Sequence, residues 1–279
     1  MSYPYKVYIN GQIVNPEDAK VSVFDRGFIF GDGLYEVMVQ INGKFFYEKE
    51  HFDRLKSGLL KINIDFEVSL LSNEISSLLK AAGLTNKDCM LYIQITRGVA
   101  PRQHSFPNDI KPTVMMYAVP KVLPEINMVN AHVITPKDFR WSRCDIKMTS
   151  LLGNVMLNEE AMQHNCYETI LYRNGVFTEA SHSNVFFVKG GVVYTHPANE
   201  YILNGITRIV VIGLCKSLGI EIKEIPISIA EINTIDEAFL TGTSTQIAAI
   251  QQIDEQVLYS ENEKGPVTRK LQEAFLKLK

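Results

Sequence analysis

Four short tracts each set a two-residue tight turn between runs of β-branched and aromatic residues: VYINGQIV turning at Asn10 and Gly11, VMVQINGKFFYE at Asn42 and Gly43, ILYRNGVF at Asn174 and Gly175, and NVFFVKGGVVYT at Gly190 and Gly191. Asn-Gly and Gly-Gly pairs tolerate the positive φ angles that a two-residue hairpin loop demands. Two of these turns fall in each half of the chain, so antiparallel sheet is expected in both halves. That pattern argues against a doubly wound dinucleotide-binding fold, which needs parallel strands. The only GxG, Gly31 and Gly33 in FGDGLYE, agrees, because Glu36 stands where a third glycine would be required.

Helical periodicity alternates with the hairpins. Phe52, Leu55 and Leu59 recur at helical spacing after Glu50, and Leu71, Ile75 and Leu78 recur again before Gly83. Two strand-like runs follow, MLYIQITRG and TVMMYAVP, and then PKVLPE, where Pro120 and Pro124 bracket a short extended stretch. The second half reads as a helix from about Leu151 to His164, a helix from about Gly205 to Leu218, strands in EIKEIPI and EAFLTG, and a helix in VTRKLQEAFLKL. A chain of 279 residues exceeds the usual single domain. The expectation is an α+β protein of two domains, residues 1–120 and 126–279, joined by a linker at 121–125.

Lysine and arginine number 28 against 31 aspartate and glutamate, a formal net charge of −3, and neither sign forms a long block. Nucleic acid and acidic membrane surfaces are therefore poor candidates as main partners. The tract MSYPYKVYINGQIV lacks the features of an export signal, and no apolar run is long enough to span a bilayer, so a soluble, cytoplasmic protein is expected. Cys89, Cys144, Cys166 and Cys215 show no CxxC spacing, which suits reduced thiols. The histidines show no HExxH spacing, and a metal is not expected.

Lys147 closes the tract RWSRCDIK, and Glu179 lies in a second tract, TEASHSNVFFV. An amine that forms a Schiff base needs a carbonyl cofactor, and a pyridoxal ring needs a carboxylate near its nitrogen to keep that nitrogen protonated. Lys147 and Glu179 are candidates for those two roles. A phosphate bound without metal needs backbone amides and hydroxyls, which a helix N-terminus supplies together with a favourable dipole. LNGITRIVVIG offers the Ile206 amide and the Thr207 hydroxyl on one first turn, and Thr243 at the end of EAFLTGT could close the cup.

From Glu179 to Arg208 the sequence resembles the signature of class IV pyridoxal-phosphate aminotransferases, on Glu179, Asn184 with Phe186, Thr195, and Leu203, Gly205, Ile206 and Arg208. FDRGFIFGDGLYEV and HFDRL look like that family's opening strand and phosphate arginine. The resemblance implies a fold type IV enzyme: a small N-terminal antiparallel-sheet domain with two helices, and a larger C-terminal β-barrel-like domain with flanking helices. It makes Lys147 the Schiff-base lysine and Glu179 the partner of the pyridine nitrogen. Arg54, Ile206, Thr207 and Thr243 become the phosphate cup.

Family members differ in how they hold the substrate carboxylate. Arg102 and His104 lie two apart after YIQITRG, so an extended segment would project both to one side. With Tyr35 of GLYEV, this pair looks like the carboxylate trap of D-amino acid aminotransferases, which implies a homodimer whose sites are shared between subunits. The implied reaction moves an amino group between D-amino acids of the D-alanine or D-glutamate type and 2-oxo acids such as pyruvate or 2-oxoglutarate, in support of bacterial cell-wall synthesis. A branched-chain L-amino acid aminotransferase and an aminodeoxychorismate lyase are the alternatives on the same fold. Met148, His182 and Gly242 stand where D-specific members carry serine, which bears on the shape and polarity of the pocket.

Overall fold

A computed structural model of the chain describes residues 3–260 and 264–279; the first two residues of the amino-terminal tract read above lie outside this description. The chain divides into two compact units, Met1–Val122 with Ile146–Ser150, and Leu123–Asp145 with Leu151–Lys279.

The first unit holds strands β1 (Val7–Ile9), β2 (Gln12–Val14), β3 (Gly33–Ile41), β4 (Lys44–Phe45), β5 (Cys89–Thr96) and β6 (Thr113–Pro120), and helices α1 (Arg26–Phe30), α2 (Glu48–Lys61) and α3 (Leu71–Ala81). Its six-stranded sheet runs β2-β1-β6-β5-β3-β4, with every pairing antiparallel. Alternation along the strands sends Leu34 and Met38 of β3, Leu91, Ile93 and Ile95 of β5, and Met116 of β6 into one core with Leu55, Leu59, Leu71, Ile75 and Leu78 of the helices. The opposite face of the same strands carries Tyr35, Tyr92 and Tyr117, which stack in a row with centroids 5.7 and 5.1 Å apart.

The second unit contains β7 (Asn130–Ile134), β8 (Glu168–Arg173), β9 (Val176–Ala180), β10 (Asn184–Lys189), β11 (Val192–Tyr194), β12 (Ile222–Lys223), β13 (Glu237–Gly242), β14 (Gln246–Ile253) and β15 (Gln256–Val257). Its helices are α4 (Leu152–Gln163), α5 (Ile206–Ser217) and α6 (Pro266–Leu276). The strands form one curled, half-barrel sheet in the order β12-β11-β10-β13-β14-β7-β8-β9, with β15 on β14. Its interior joins Phe177 and Phe187 to Val185, Ala238, Leu240, Ile250 and Val133. No helix among the described residues is long and apolar enough to cross a membrane.

All four expected turns form, as β1–β2, β3–β4, β8–β9 and β10–β11, and in each both central residues have positive φ. Antiparallel pairs occur in both sheets, as expected, and the second sheet adds parallel pairings at β11–β12, β14–β7 and β7–β8. Two readings need correction. FDRGFIFGDG does not open a strand: Arg26–Phe30 is a short helix capped by the Asp25 side chain, and β3 starts only at Gly33. The span 126–279 is not one continuous body, because Ile146–Ser150 belongs with the first unit. The reason for that last difference is edge pairing: Tyr35 N donates to Lys147 O (3.0 Å), Thr149 N donates to Gly33 O (3.0 Å), and Ile146 and Met148 enter the first core.

Leu91 is fully buried at the centre of the six-stranded sheet. Leu91→Ala is expected to lower the unfolding free energy by about 2–5 kcal/mol through lost burial and a residual cavity, measured by urea titration. A loss below about 1 kcal/mol would show that this core collapses around the gap.

Candidate active site

In the first unit, Lys147 sits on the extended segment paired to the start of β3, with Nζ 4.2 Å from the centroid of the Tyr35 ring. Among the described residues no carboxylate pairs with this half-buried amine. The residues behind it form a charge cluster. Glu36, on the opposite face of β3 from Tyr35, is fully buried and accepts from Arg54 Nε at 2.8 Å and Nη2 at 2.9 Å, while His51 Nδ1 lies 2.5 Å from its other side. Burial raises the Glu36 carboxyl, but the Arg54 charge and the His51 contact outweigh it and bring the pKa down to about 2. Burial pushes His51 below its ordinary value, with the charges of Arg54 and Lys147 adding to this against the pull of Glu36. The cluster thus holds a Glu36 anion between Arg54 and His51. Its guanidinium is held on the edge of α2, with Arg54 retaining 15% side-chain exposure, and can present a fixed positive charge to an anion.

Arg102 and His104 occupy the loop between β5 and β6, and both are exposed. The structure brings them onto one ring: Arg102 Cζ lies 5.3 Å from the Phe30 centroid, and the His104 ring lies 5.7 Å from it. Among the described residues no hydrogen bond or ring contact joins either to Tyr35.

In the second unit, Glu179 near the end of β9 is 5% exposed, and both of its carboxylate oxygens accept hydrogen bonds. Oε1 accepts from Arg140 Nη1 at 2.9 Å, and Oε2 accepts from Asn184 Nδ2 and Leu203 N, each at 3.0 Å. Arg140 is itself forked onto Asp138, with Nε and Nη2 each 3.0 Å from a carboxylate oxygen. Burial raises the Glu179 carboxyl to about 7, against the pull of Arg140 and the Leu203 amide. A carboxylate in that balance gains from one further cation.

The same corner organises the candidate anion-binding elements. α5 starts at Gly205, which caps it with extended backbone and no side-chain bond, so the Ile206 and Thr207 amides lead an uncapped helix N-terminus. Gly205 is glycine for a steric reason: a Cβ there would overlap Asn184 Oδ1. Asn184 therefore ties Glu179, the Leu203 carbonyl (2.8 Å) and the start of α5 into one place. Its neighbour Ser183 meets the turn that carries Thr243, since a Cβ on Gly242 would lie 3.6 Å from Ser183 Cβ. Thr241, opposite Asn184 in the β10–β13 register, buries a hydroxyl that has no hydrogen-bond partner among the described residues.

Glu168 anchors the tract after Glu179. It accepts from Ser181 Oγ (2.5 Å), Ser181 N (3.2 Å) and Ser183 Oγ (3.4 Å), and His182 Nδ1 lies 2.6 Å from it. His182 is thus held by a buried carboxylate, Met148 is a core residue, and Gly242 abuts Thr245 at 3.3 Å from an added Cβ. Glu36, His51, Arg140, Asp138 and Glu168 escaped the sequence reading. Arg140 opens the very tract that Lys147 closes, yet nothing local marks it as the partner of a residue 39 positions on.

The sequence model of the amino-transferase class IV family matches residues 33–253. The chain is a class IV aminotransferase. The enzyme is 42% identical over 277 residues to the D-alanine aminotransferase of Staphylococcus haemolyticus, covering 98% of this chain and 97% of that one. It is 39% identical to the D-alanine aminotransferase of Listeria monocytogenes, with 97% and 95% covered. Among solved structures it superposes on Escherichia coli branched-chain amino acid aminotransferase with a TM-score of 0.89 at 26% identity, over 99% of this chain and 95% of that one. The branched-chain aminotransferase of Thermoproteus uzoniensis gives a TM-score of 0.85 at 28% identity, with 99% and 94% covered.

The folded Glu36 carboxyl lies below its unfolded value, so its stabilising contribution is complete above about pH 4.5 and is lost as pH falls through about 2. Glu36→Gln is expected to cost about 3–5 kcal/mol at neutral pH by leaving Arg54 without its counter-charge. The stability gap to the parent enzyme, followed by urea unfolding, should narrow as pH is lowered through that window; a pH-independent gap would contradict the assignment.

Proposed function

We propose that the enzyme is a pyridoxal-phosphate-dependent D-amino acid transaminase, exchanging the amino group of D-alanine or D-glutamate with 2-oxo acids such as pyruvate or 2-oxoglutarate. The observation that carries this reading is the full-length similarity to D-alanine aminotransferases, at 39–42% identity, in a chain that sets Arg102 and His104 side by side on Phe30.

The residues present fit the cofactor. Lys147 is a primary amine without a carboxylate partner among the described residues, and Glu179 is a buried acid poised to gain from a cation. An uncapped helix N-terminus and an unpartnered Thr241 hydroxyl stand at the corner that Glu179 shares with Asn184. When bound, pyridoxal phosphate supplies an aldehyde that links covalently to amines and a ring that withdraws electrons from the substrate α-carbon.

In this reading Lys147 would tether the aldehyde and, once released by the incoming amino acid, would move a proton from the substrate α-carbon to the cofactor carbon that takes up the amino group. Glu179, oriented by Arg140, Asn184 and the Leu203 amide, keeps the ring nitrogen protonated. Arg54, held by Glu36, and the Ile206 amide, Thr207 and Thr243 hold the phosphate. Tyr35, Arg102 and His104 hold the substrate carboxylate, the last two donated to the site of a second subunit.

A homodimer is consistent with large apolar side chains left exposed in each unit, among them Phe24 and Phe28 in the first and Leu152, Val155 and Met156 in the second. Four free cysteines suit a reducing, cytoplasmic setting. The solved relatives named above favour L-branched-chain transamination as the second reading.

The half-reaction distinguishes the two. Holoenzyme is mixed separately with D- and L-alanine, D- and L-glutamate and L-leucine, and conversion to the pyridoxamine form is followed by absorbance. D-alanine and D-glutamate should convert the cofactor; conversion by L-leucine alone would replace this reading with the second. Lys147→Ala should lower turnover by roughly 10,000-fold or more, since one substitution removes tether and proton carrier together. Borohydride treatment of the parent holoenzyme should fix the label on Lys147 in peptide mass analysis, and a label elsewhere would remove that lysine from the mechanism.

A further inference from the structure

The loop that carries Arg102 and His104 is exposed, and an exposed loop cannot by itself hold two side chains to the tolerance that carboxylate recognition requires. Its restraint comes from α1. Arg26, 3% exposed, donates from Nη1 to the carbonyl of Gln103 at 2.6 Å, and Gln103 is the residue between Arg102 and His104. The same guanidinium donates from Nε to Asp32 Oδ2 at 2.8 Å. Asp32 in turn is gripped by Arg97, from Nε to Oδ2 at 2.8 Å and from Nη2 to Oδ1 at 3.0 Å. Arg97 also caps the carbonyls of Ile62 and Asn63 at the end of α2, and lies over Phe106 with Cζ 3.5 Å from the ring centroid. The loop is thus clasped at two points by two arginines that share one aspartate.

Phe30, four residues and one helical turn beyond Arg26, supplies the surface. Arg26 Cζ lies 4.7 Å from its centroid, Arg102 Cζ 5.3 Å, and the His104 ring 5.7 Å at a 46° tilt. Two cationic groups and an imidazole therefore rest on one aromatic ring, whose face attracts them without neutralising them. The neck of the loop is closed by Gly98, at φ 109°, where any Cβ would overlap the Lys111 carbonyl oxygen.

We infer that Arg26 and Phe30 are positioning residues for the carboxylate grip: Arg26 fixes the peptide between Arg102 and His104, and Phe30 sets the direction of both side chains. This rests on the reading of Arg102 and His104 as carboxylate-binding residues. Neither Arg26 nor Phe30 needs to touch substrate. Because amino acid and oxo acid both present a carboxylate, loosening this support weakens both substrates alike, and leaves the chemistry at the α-carbon in place once they are bound.

The test uses holoenzyme with Arg26→Lys and Phe30→Leu, and measures KM and kcat for D-alanine and 2-oxoglutarate alongside the half-reaction rate with D-alaninol, which has no carboxylate. An ammonium can satisfy Asp32 or the Gln103 carbonyl but not both with a fork, and leucine keeps apolar bulk while removing the ring face. Each variant should raise both KM values about 10-fold, hold kcat within about 3-fold, and leave the D-alaninol rate within about 2-fold. An equal loss with D-alanine and D-alaninol, or no change in KM, overturns the inference. If Arg26→Lys does not fold, Phe30→Leu, at a half-buried site, decides the matter alone. Arg102→Ala separates the two levels of the argument: a selective rise in KM there with none in Phe30→Leu overturns the positioning role only, whereas no selective rise in Arg102→Ala overturns the carboxylate reading beneath it.

Discussion

A carboxylate taken out of water has to be given its counter-charge by the protein, and in this enzyme three acids, Glu179 and Glu36 buried and Asp32 partly so, are placed by that requirement. Glu179 receives Arg140, Glu36 receives Arg54 and His51, and Asp32 receives Arg26 and Arg97. Forks of two hydrogen bonds tolerate little rotation, so Arg54 on Glu36 and Arg97 on Asp32 are fixed in one orientation, and Arg140 is held for Glu179 by its fork on Asp138. The site residues inherit their geometry from these pairs.

The three pairs are tuned differently. Glu36 has two strong partners and its pKa falls to about 2, so it is a permanent anion that serves Arg54. Glu179 has one arginine, already committed on its other edge to Asp138, together with two neutral donors, and its pKa rises to about 7. One acid is therefore satisfied within the fold, and the other is left with something to gain from a bound cation. Two glutamates with similar burial thus suit different tasks: in the proposed function, one would support a phosphate-binding guanidinium and the other would face a pyridine nitrogen.

What could be read along the chain follows the range of each interaction. The hairpin turns were legible because Asn10–Gly11, Asn42–Gly43, Asn174–Gly175 and Gly190–Gly191 relieve a steric cost that lies within two residues. The helices α2, α3, α4, α5 and α6 were legible from periodicity, although α4 shows exposed apolar side chains that periodicity alone does not explain. The short α1 escaped because five residues contain little more than one turn, and its stability comes from the Asp25 cap and from Thr96 and Gly98 across the sheet. Strand β14, QIAAIQQI, lacks alternation because most of its positions are buried, so its sequence does not announce a sheet.

The amino-acid sequence by itself determined the hairpins, most of the helices, and the inventory of reactive groups: an amine at 147, an acid at 179, and an arginine and histidine two apart at 102 and 104. These are properties of single residues or of neighbours a few positions apart. Tertiary structure alone decided that Ile146–Ser150 would pair with β3, that Arg140 and Glu36 would be the counter-ions, and that Phe30 would lie beneath the loop. Charge compensation and edge pairing are settled by which groups the fold excludes from water together, and those groups stand 18 to 116 residues apart.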